Sequence, residues 1–180
     1  MKDYNEWYKI VKPIIESNEF LIRKKFTHHD NSVYDHCKDV SYKAYLYVKN
    51  KKKHTDEELY NVSIAGLLHD FYPYAWQNSV DLKNIDSKYS TYLNKRHYNI
   101  FKKHGFVHAR QALNNSRIYY GNYLNKRIEN SILRHMFPLN IIPPKYKEGW
   151  IITYIDKIET MKNRPKIKDI PIYIGIKRKK

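Results

Sequence analysis

The sequence predicts a single all-α domain, and three features of the chain favour this fold class. Apolar residues recur at three- and four-residue steps along several segments, which is the period of a helix with one buried face. Residues that can cap a helix, namely Ser, Thr and Asn, precede these segments. Apolar residues make up 42% and aromatic residues 15% of the 180 residues, which suffices for one hydrophobic core. We therefore expect one helical bundle without internal repeats.

Two helices are predicted in the first 50 residues. The first covers Tyr4–Ile15 and continues to Lys25, with a break that Pro13 marks. The second covers Val33–Val48 and follows a polar connection, THHDNS. Two residues of this connection are candidates to cap the second helix: Asn31 and Ser32.

A third helix is predicted to begin at Thr55, because Glu58 follows it at the spacing of a capping box. This helix is expected to end near His69. The polar residues 77–95 that come later are expected to form a long loop or short helices.

The C-terminal half is predicted to contain three more helices. The segment FVHARQALNNSRIYYG is the first, and Gly121 closes it. Asn125 is a candidate cap for KRIENSILRHM, and the proline-marked connection FPLNIIPP separates it from a last helix over Glu148–Asn163. The tail, IPIYIGIKRKK, alternates isoleucine with other residues and could be an edge strand, a partner-binding arm or a disordered end.

The chain is strongly basic, with a net charge of +16 and a pI near 9.7. Such a charge attracts polyanions, including nucleotides, nucleic acid and anionic membrane surfaces. Lysines are spread along the whole chain, however, and the same charge could simply form a solvated surface. The charge therefore indicates compatibility with phosphate, not one ligand.

A single cysteine, Cys37, excludes a disulfide framework and a cysteine-built zinc site. We therefore expect a reducing, cytoplasmic setting. The N-terminal residues, MKDYNEWYKIVKPII, lack the apolar core of a signal peptide. No stretch approaches the roughly 18 apolar residues that a membrane span needs.

Polar residues in apolar surroundings indicate a metal centre. Asp70 lies within IAGLLHDFYPYAW and Asp156 within IITYIDKIE, although an unpaired carboxylate is costly to bury. Imidazole and carboxylate ligands together suit divalent ions such as iron, manganese, cobalt, nickel, zinc or magnesium. Two ions about 3.5–4 Å apart would activate a hydroxide between them. Four histidines fall on apolar helix faces or at helix ends: His36, His69, His108 and His135.

Five short elements follow one another in a distinctive order: SVYDHCKDVSYKAY, IAGLLHDF, HARQAL, RHMFPLN and YIDKIE. They resemble, in turn, the first-histidine helix, the defining His-Asp element, an extra-ligand element, the next histidine element and the closing aspartate of the HD phosphohydrolase superfamily. The resemblance covers about residues 28–160. It implies an HD-type helical bundle over residues 28–162, an N-terminal helical segment (1–27) packed on it, and a short basic tail (163–180).

The resemblance also implies roles for single residues. A first metal ion would have four protein ligands: His36, His69, Asp70 and Asp156. Asp70 would bridge to a second ion that His108 and His135 also hold. Asp70 and His69 are the predicted catalytic residues, and Asp70 would orient the hydroxide rather than act as a separate base. Members with this fuller ligand set include symmetrical diadenosine-tetraphosphate hydrolases, which are similar in motif order.

The sequence departs from the family pattern at two places. Ala109 replaces the proline that usually follows the extra histidine, which should matter little to the imidazole of His108. The lysine that some cyclic-dinucleotide phosphodiesterases carry soon after His-Asp is replaced here by Phe71-Tyr72-Pro73. The second departure argues against that subclass.

Five further residues are candidates for contact with a phosphorylated substrate. Arginine offers a bidentate fork for phosphate, and an aromatic ring can stack on a base. Each of the five could instead be a solvated or a packing residue. The candidates are His104, Arg110, Arg134, Lys157 and Trp76.

The function expected from these features is hydrolysis of a nucleotide, or of a related small phosphate ester or anhydride, by a metal-activated hydroxide. One alternative is a phosphodiesterase or nuclease on single-stranded nucleic acid, which predicts a basic groove and binding that weakens steeply with salt. Others are a non-catalytic nucleotide-binding HD protein and an iron-dependent oxygenase. The sequence leaves substrate, metal identity and oligomeric state open.

Overall fold

The structure is a computed structural model that describes residues 2–28, 31–72 and 104–162. Several sequence predictions concern residues outside these ranges. They are the loop or short helices over residues 77–95, the substrate contact of Trp76 and the basic tail over residues 163–180. The boundaries predicted for the three regions of the chain stay predictions.

The N-terminal segment is helical, and its first helix ends at Ile15, as predicted. Helix α1 spans Lys2–Ile15 and contains Pro13 within its last turn. Pro13 lacks a backbone N–H and so removes one hydrogen bond of the helix, which ends two residues later rather than at the proline itself. After this end at Ile15, the side chain of Ser17 caps α2 (Asn18–Leu21) by accepting a hydrogen bond from the backbone N–H of Phe20. A 3₁₀ helix, Ile22–Lys25, follows.

A small antiparallel strand pair joins this segment to the next helix. Strand β1 (Thr27–His28) pairs with β2 (Asn31–Ser32), and Thr27 lies opposite Ser32. The sequence analysis predicted only a polar connection here. With two residues in each strand, the pair leaves the all-α class unchanged.

The next two helices confirm the predicted caps. Helix α3 spans Val33–Lys49, and the Ser32 side chain accepts a hydrogen bond from the backbone N–H of Asp35. Helix α4 spans Asp56–Leu68 and begins with the full capping box of Thr55 and Glu58. Both caps are local interactions that depend on spacing along the chain, so the sequence predicts them well.

Three helices form the C-terminal half of the described chain. Helix α5 spans His104–Tyr120 and is followed by a 3₁₀ turn, Gly121–Tyr123. Helix α6 (Lys126–Arg134) begins at Asn125, whose side chain accepts two backbone hydrogen bonds, as predicted. Helix α7 spans Lys147–Lys162 and packs against α3, α4 and α6. The fold is therefore the predicted all-α bundle.

The packing of α3 against α4 depends on a glycine. A Cβ placed on Gly66 would lie 2.8 Å from the Cα of Ser41, so only glycine permits this approach. Ser41 donates to the carbonyl of Ser63 at 2.7 Å and accepts from the Trp7 indole at 2.9 Å. These contacts tie α1, α3 and α4 into one core, in which Trp7 is fully buried.

None of the helices in the described ranges combines the length and the apolar character that crossing a lipid bilayer requires.

Candidate metal centre

Six polar side chains from five helices meet inside the bundle, and none is more than 8% exposed. They are contributed by the first turn of α3, the C-terminal end of α4, the second turn of α5, the C-terminal end of α6 and the middle of α7. In this order the residues are His36, His69 with Asp70, His108, His135 and Asp156. They are the same six residues that the sequence predicts as metal ligands.

Three of these residues form a first cluster: His36, His69 and Asp156. The Nε2 atoms of His36 and His69 are 3.2 Å apart. The Oδ1 atom of Asp156 lies 3.1 Å from the Nε2 atom of His36 and 3.5 Å from that of His69. Three potential donor atoms therefore surround one point, although 120 residues separate His36 from Asp156.

The other three residues form a second cluster: Asp70, His108 and His135. The Nε2 atoms of His108 and His135 are 3.1 Å apart. The Oδ1 atom of Asp70 lies 3.4 Å from the Nε2 atom of His108 and 3.6 Å from that of His135. The arrangement repeats the two-imidazole, one-carboxylate composition of the first cluster.

The carboxylate of Asp70 lies between the two clusters. While its Oδ1 atom faces the second cluster, its Oδ2 atom lies 3.7 Å from the Nε2 atom of His69 and 4.0 Å from that of His36. One side chain thus directs one oxygen to each cluster. This is the geometry expected of a carboxylate that bridges two cations.

A shared local interaction orients two of the imidazoles. His69 and His135 occupy the C-cap positions of α4 and α6. The Nδ1 atom of His69 lies 2.8 Å from the carbonyl of Gly66, and that of His135 lies 2.7 Å from the carbonyl of Ile132. Carbonyls in the last helical turn lack a partner within the helix. Each ring donates to one through Nδ1, which directs its Nε2 atom at the cluster.

The electrostatics of the first cluster favour positive charge. Burial alone would lower the pKa of His69, yet the carboxylates of Asp70 and Asp156 outweigh it and raise this pKa to about 9. Burial would raise the pKa of Asp156, but hydrogen bonding to His36 and His69 holds it well below its ordinary value. The buried carboxylates thus stabilise a cation among these side chains.

One histidine of the second cluster, His135, is held in its neutral form. Burial, followed by electrostatic repulsion from the neighbouring imidazoles, lowers the pKa of His135 to about 3. A neutral imidazole with a protonated Nδ1 atom offers its Nε2 lone pair, which is the form that binds metal ions.

The donor set and its spacing fit divalent metal ions. Ligand atoms that each lie about 2.0–2.1 Å from one ion are about 2.8–3.4 Å apart at octahedral or tetrahedral angles. Within the two clusters the donor atoms are 3.1–3.6 Å apart, which reaches from within this range to slightly above it. Mixed imidazole and carboxylate ligands suit several divalent transition metals, so the two clusters could hold such ions without selecting one.

The predicted substrate contacts lie in varied positions. Arg110 is exposed on α5 and Arg134 is half-buried at the end of α6. The Nζ atom of Lys157 donates to the carbonyl of Phe137 at 2.6 Å, so its ammonium group contacts the main chain. The side chain of His104 and all of Trp76 lie outside the described residues. The substrate roles of all five residues stay predictions.

Two buried residues that the sequence analysis did not single out contact the chain just after Asp70. Asn115 donates from its Nδ2 atom to the carbonyl of Phe71 at 2.9 Å. The Nη2 atom of Arg23 donates to the carbonyl of Tyr72, also at 2.9 Å. Asn115 lies seven residues after His108 on the same helix, a spacing that could have revealed it. Arg23 is one of many basic residues in the sequence, and no spacing or motif distinguishes it from the others.

Comparison with known proteins identifies the family. The family model described as HD domain matches residues 33–161, which is 129 of the 180 residues. Neither the search of curated proteins nor the search of solved structures returned a match. The matched segment begins at the helix of His36 and includes all six clustered residues. The chain belongs to the HD domain family, whose members are generally metal-dependent phosphohydrolases.

Proposed function

We propose that this protein is a two-metal phosphohydrolase acting on a nucleotide or another small phosphate ester or anhydride. The single observation that carries the proposal is the position of Asp70. Its two oxygens face different clusters, each of which offers two imidazole nitrogens. A one-metal site would not need the second cluster, which consists of three buried polar side chains.

The side chains of this chain have separable roles in that reaction. The first cluster and Asp70 would hold one divalent ion, and the second cluster would hold another through the other oxygen of Asp70. Such ions supply Lewis acidity, which can lower the pKa of water from 15.7 to about 7 and offset charge on phosphoryl oxygens. His69 and His135 keep their Nε2 atoms directed inward through their bonds to main-chain carbonyls.

The proposed substrate class follows from charge as well as from the family. A net charge of +16 favours a phosphorylated ligand over a neutral or cationic one. Within this class we favour a nucleotide, and the similar motif order of symmetrical diadenosine-tetraphosphate hydrolases makes dinucleoside polyphosphates a suitable first test. A reducing, cytoplasmic setting remains part of the proposal.

The test is metal quantification combined with a substrate panel. The purified protein is expected to contain up to two divalent ions per chain and to release phosphate or a nucleotide from at least one member of a panel of mono-, di- and dinucleoside polyphosphates. The Asp70→Ala variant should lose both metal and activity while its helical circular dichroism persists. Unchanged turnover in this variant would contradict the proposal.

Single-stranded oligonucleotides belong in the same panel. Cleavage of these, with binding that falls steeply as salt rises, would replace the small-substrate proposal with a nuclease. Full metal loading without hydrolysis of any member would favour a nucleotide-binding protein that does not catalyse hydrolysis.

A further inference from the structure

Arg23 is a buried cation in the N-terminal segment, outside the residues that the HD domain matches. It is 5% exposed. Burial lowers the pKa of its guanidinium to about 10, which still leaves it charged at neutral pH. Within residues 2–28, 31–72 and 104–162, no carboxylate forms an ion pair with it. A buried charge without an opposite charge is costly, so its retention calls for a specific role.

The contacts of Arg23 join two parts of the chain. Its Nη1 atom donates to the carbonyl of Glu19 at 2.6 Å, within its own segment. Its Nη2 atom donates to the carbonyl of Tyr72 at 2.9 Å, two residues after Asp70. Its Cζ atom lies 3.9 Å from the centre of the Phe71 ring, which is a cation–π contact. Phe71 is the residue between Asp70 and Tyr72.

Phe71, the residue after Asp70, is restrained by further contacts. The backbone N–H of Phe71 donates to the carbonyl of Leu68 at 3.1 Å, and its carbonyl accepts from Asn115 at 2.9 Å. The ring of Phe71 is fully buried and stacks on that of Phe20. The main chain on the C-terminal side of Asp70 is thus restrained by side chains from the N-terminal segment and from α5.

Asp70 is the clustered residue whose two oxygens lie near different clusters, so its orientation matters to both. Each histidine can serve its cluster with one nitrogen, whereas Asp70 must direct one oxygen to each of two clusters. A small rotation of its main chain would favour one cluster over the other. Residues that orient metal ligands typically change metal affinity 10–100-fold when they are mutated.

We propose that Arg23 is a positioning residue for Asp70. By holding the carbonyl of Tyr72 and the ring of Phe71, it fixes the chain so that the Asp70 carboxylate faces both clusters. The N-terminal segment thereby becomes part of the metal centre, although it contributes no ligand. This inference rests on the proposed two-metal centre.

The probe for the test is Mn²⁺ added to metal-free full-length protein. Binding is followed by calorimetry, and magnetic coupling between bound ions by electron paramagnetic resonance at saturating Mn²⁺. The wild type should bind two ions and show the signal of a coupled pair. Arg23→Met should bind the second ion at least 10-fold more weakly and lose the coupled signal. Arg23→Lys keeps the charge but not the fork, and should fall between the two.

The coupled signal separates positioning from stability. A variant that is merely less stable would still show coupling in the fraction that stays folded and saturated. If circular dichroism shows that Arg23→Met has lost its helices, the folded Arg23→Lys variant carries the same test. Arg117→Met is the matched control, because Arg117 is an exposed arginine of α5 that pairs with Glu129 of α6 and contacts neither cluster, so this variant should leave Mn²⁺ binding unchanged.

The two possible failures are distinguishable. A wild-type protein that binds one Mn²⁺ ion or none would contradict the two-metal centre itself. A wild type with a coupled pair, together with a folded Arg23→Met variant of equal affinity and equal coupling, would overturn only the role given to Arg23.

Discussion

The ammonium group of Lys157 donates a hydrogen bond of 2.6 Å to the carbonyl oxygen of Phe137. It also lies 3.5 Å from the carbonyl of His135. Lys157 follows Asp156 on α7, while His135 caps α6. One side chain therefore links the helix that bears Asp156 to the turn that bears His135, and so joins an element of the first cluster to one of the second.

Replacing Lys157 by Met should therefore weaken metal binding at the second cluster. Because the turn after α6 would lose its hydrogen bonds from α7, we expect the affinity for one of the two ions to fall about 10–100-fold. Metal titration by calorimetry measures the effect. Lys126→Met, which alters an exposed lysine at the start of α6, is the control and should behave as wild type. If Lys157→Met binds metal as tightly as Lys126→Met, Lys157 has another role, such as the substrate contact predicted from the sequence.

Gly66→Ala should destabilise the protein despite the better helix propensity of alanine. The added Cβ would lie 2.8 Å from the Cα and 3.0 Å from the N atom of Ser41, and backbone atoms cannot rotate away. Separating α3 from α4 costs about 1–3 kcal/mol by overpacking, against a gain of about 1 kcal/mol from propensity. Because His36 and His69 lie on these two helices, metal affinity should fall as well.

The matched control for this substitution is Gly121→Ala. A Cβ on Gly121 meets nothing within 4 Å, so its stability should change by less than about 0.5 kcal/mol. Thermal unfolding followed by circular dichroism compares the two variants. A Gly66→Ala protein as stable as Gly121→Ala would show that the α3–α4 contact is looser than the structure indicates.

Glu159→Gln should lower stability at neutral pH but not in acid. Glu159 is buried on α7 and accepts hydrogen bonds from Lys43 on α3 and from Lys162. Burial would raise the pKa of this carboxyl, yet the two lysines lower it below its ordinary value of 4.5. A carboxylate whose pKa is lower in the folded state than in the unfolded state stabilises the protein above the unfolded-state pKa. This stabilisation is lost as the pH falls through the folded-state pKa.

Thermal melts of wild type and Glu159→Gln across pH 7 to 3 test this expectation. Losing charge-assisted hydrogen bonds costs about 1.5–3 kcal/mol, so the variant should melt lower at pH 7. The two melting temperatures should converge below pH 4.5, where the wild-type carboxyl takes up its proton. A difference that stays constant down to pH 3 would mean that packing, and not charge, explains the loss.

Removing metal should lower the melting temperature of the wild type. An ion present at 100 times its dissociation constant adds about 2.7 kcal/mol of stability, which corresponds to roughly 5–10 °C for a chain of this size. Differential scanning calorimetry with and without a chelator measures the shift. Asp70→Ala should melt at the same temperature in both conditions, because it lacks the carboxylate common to both clusters. A chelator effect of wild-type size in this variant would place the metal elsewhere.

Much of the fold could be predicted from the sequence because helix periods and caps are local. The capping box of Thr55 and Glu58, and the caps at Ser32 and Asn125, depend on spacings of two or three residues. The end of the first helix at Ile15 was also predicted, although the break lies two residues after Pro13 and not at it. The cap that Ser17 provides for the next helical turn shows where the chain starts again as a helix.

The sequence by itself determined which six side chains were candidates to meet, since imidazoles and carboxylates at inward helix positions are rare and costly. The family resemblance already implied their division between two ions with Asp70 as the bridge, whereas only the tertiary structure decided the distances and directions at which the six side chains meet. It also assigned Lys157 and Arg23 to main-chain carbonyls. The physical reason is distance along the chain: periodicity tells which face of a helix is buried, whereas contacts between Arg23 and Tyr72, or His36 and Asp156, arise only when distant helices pack.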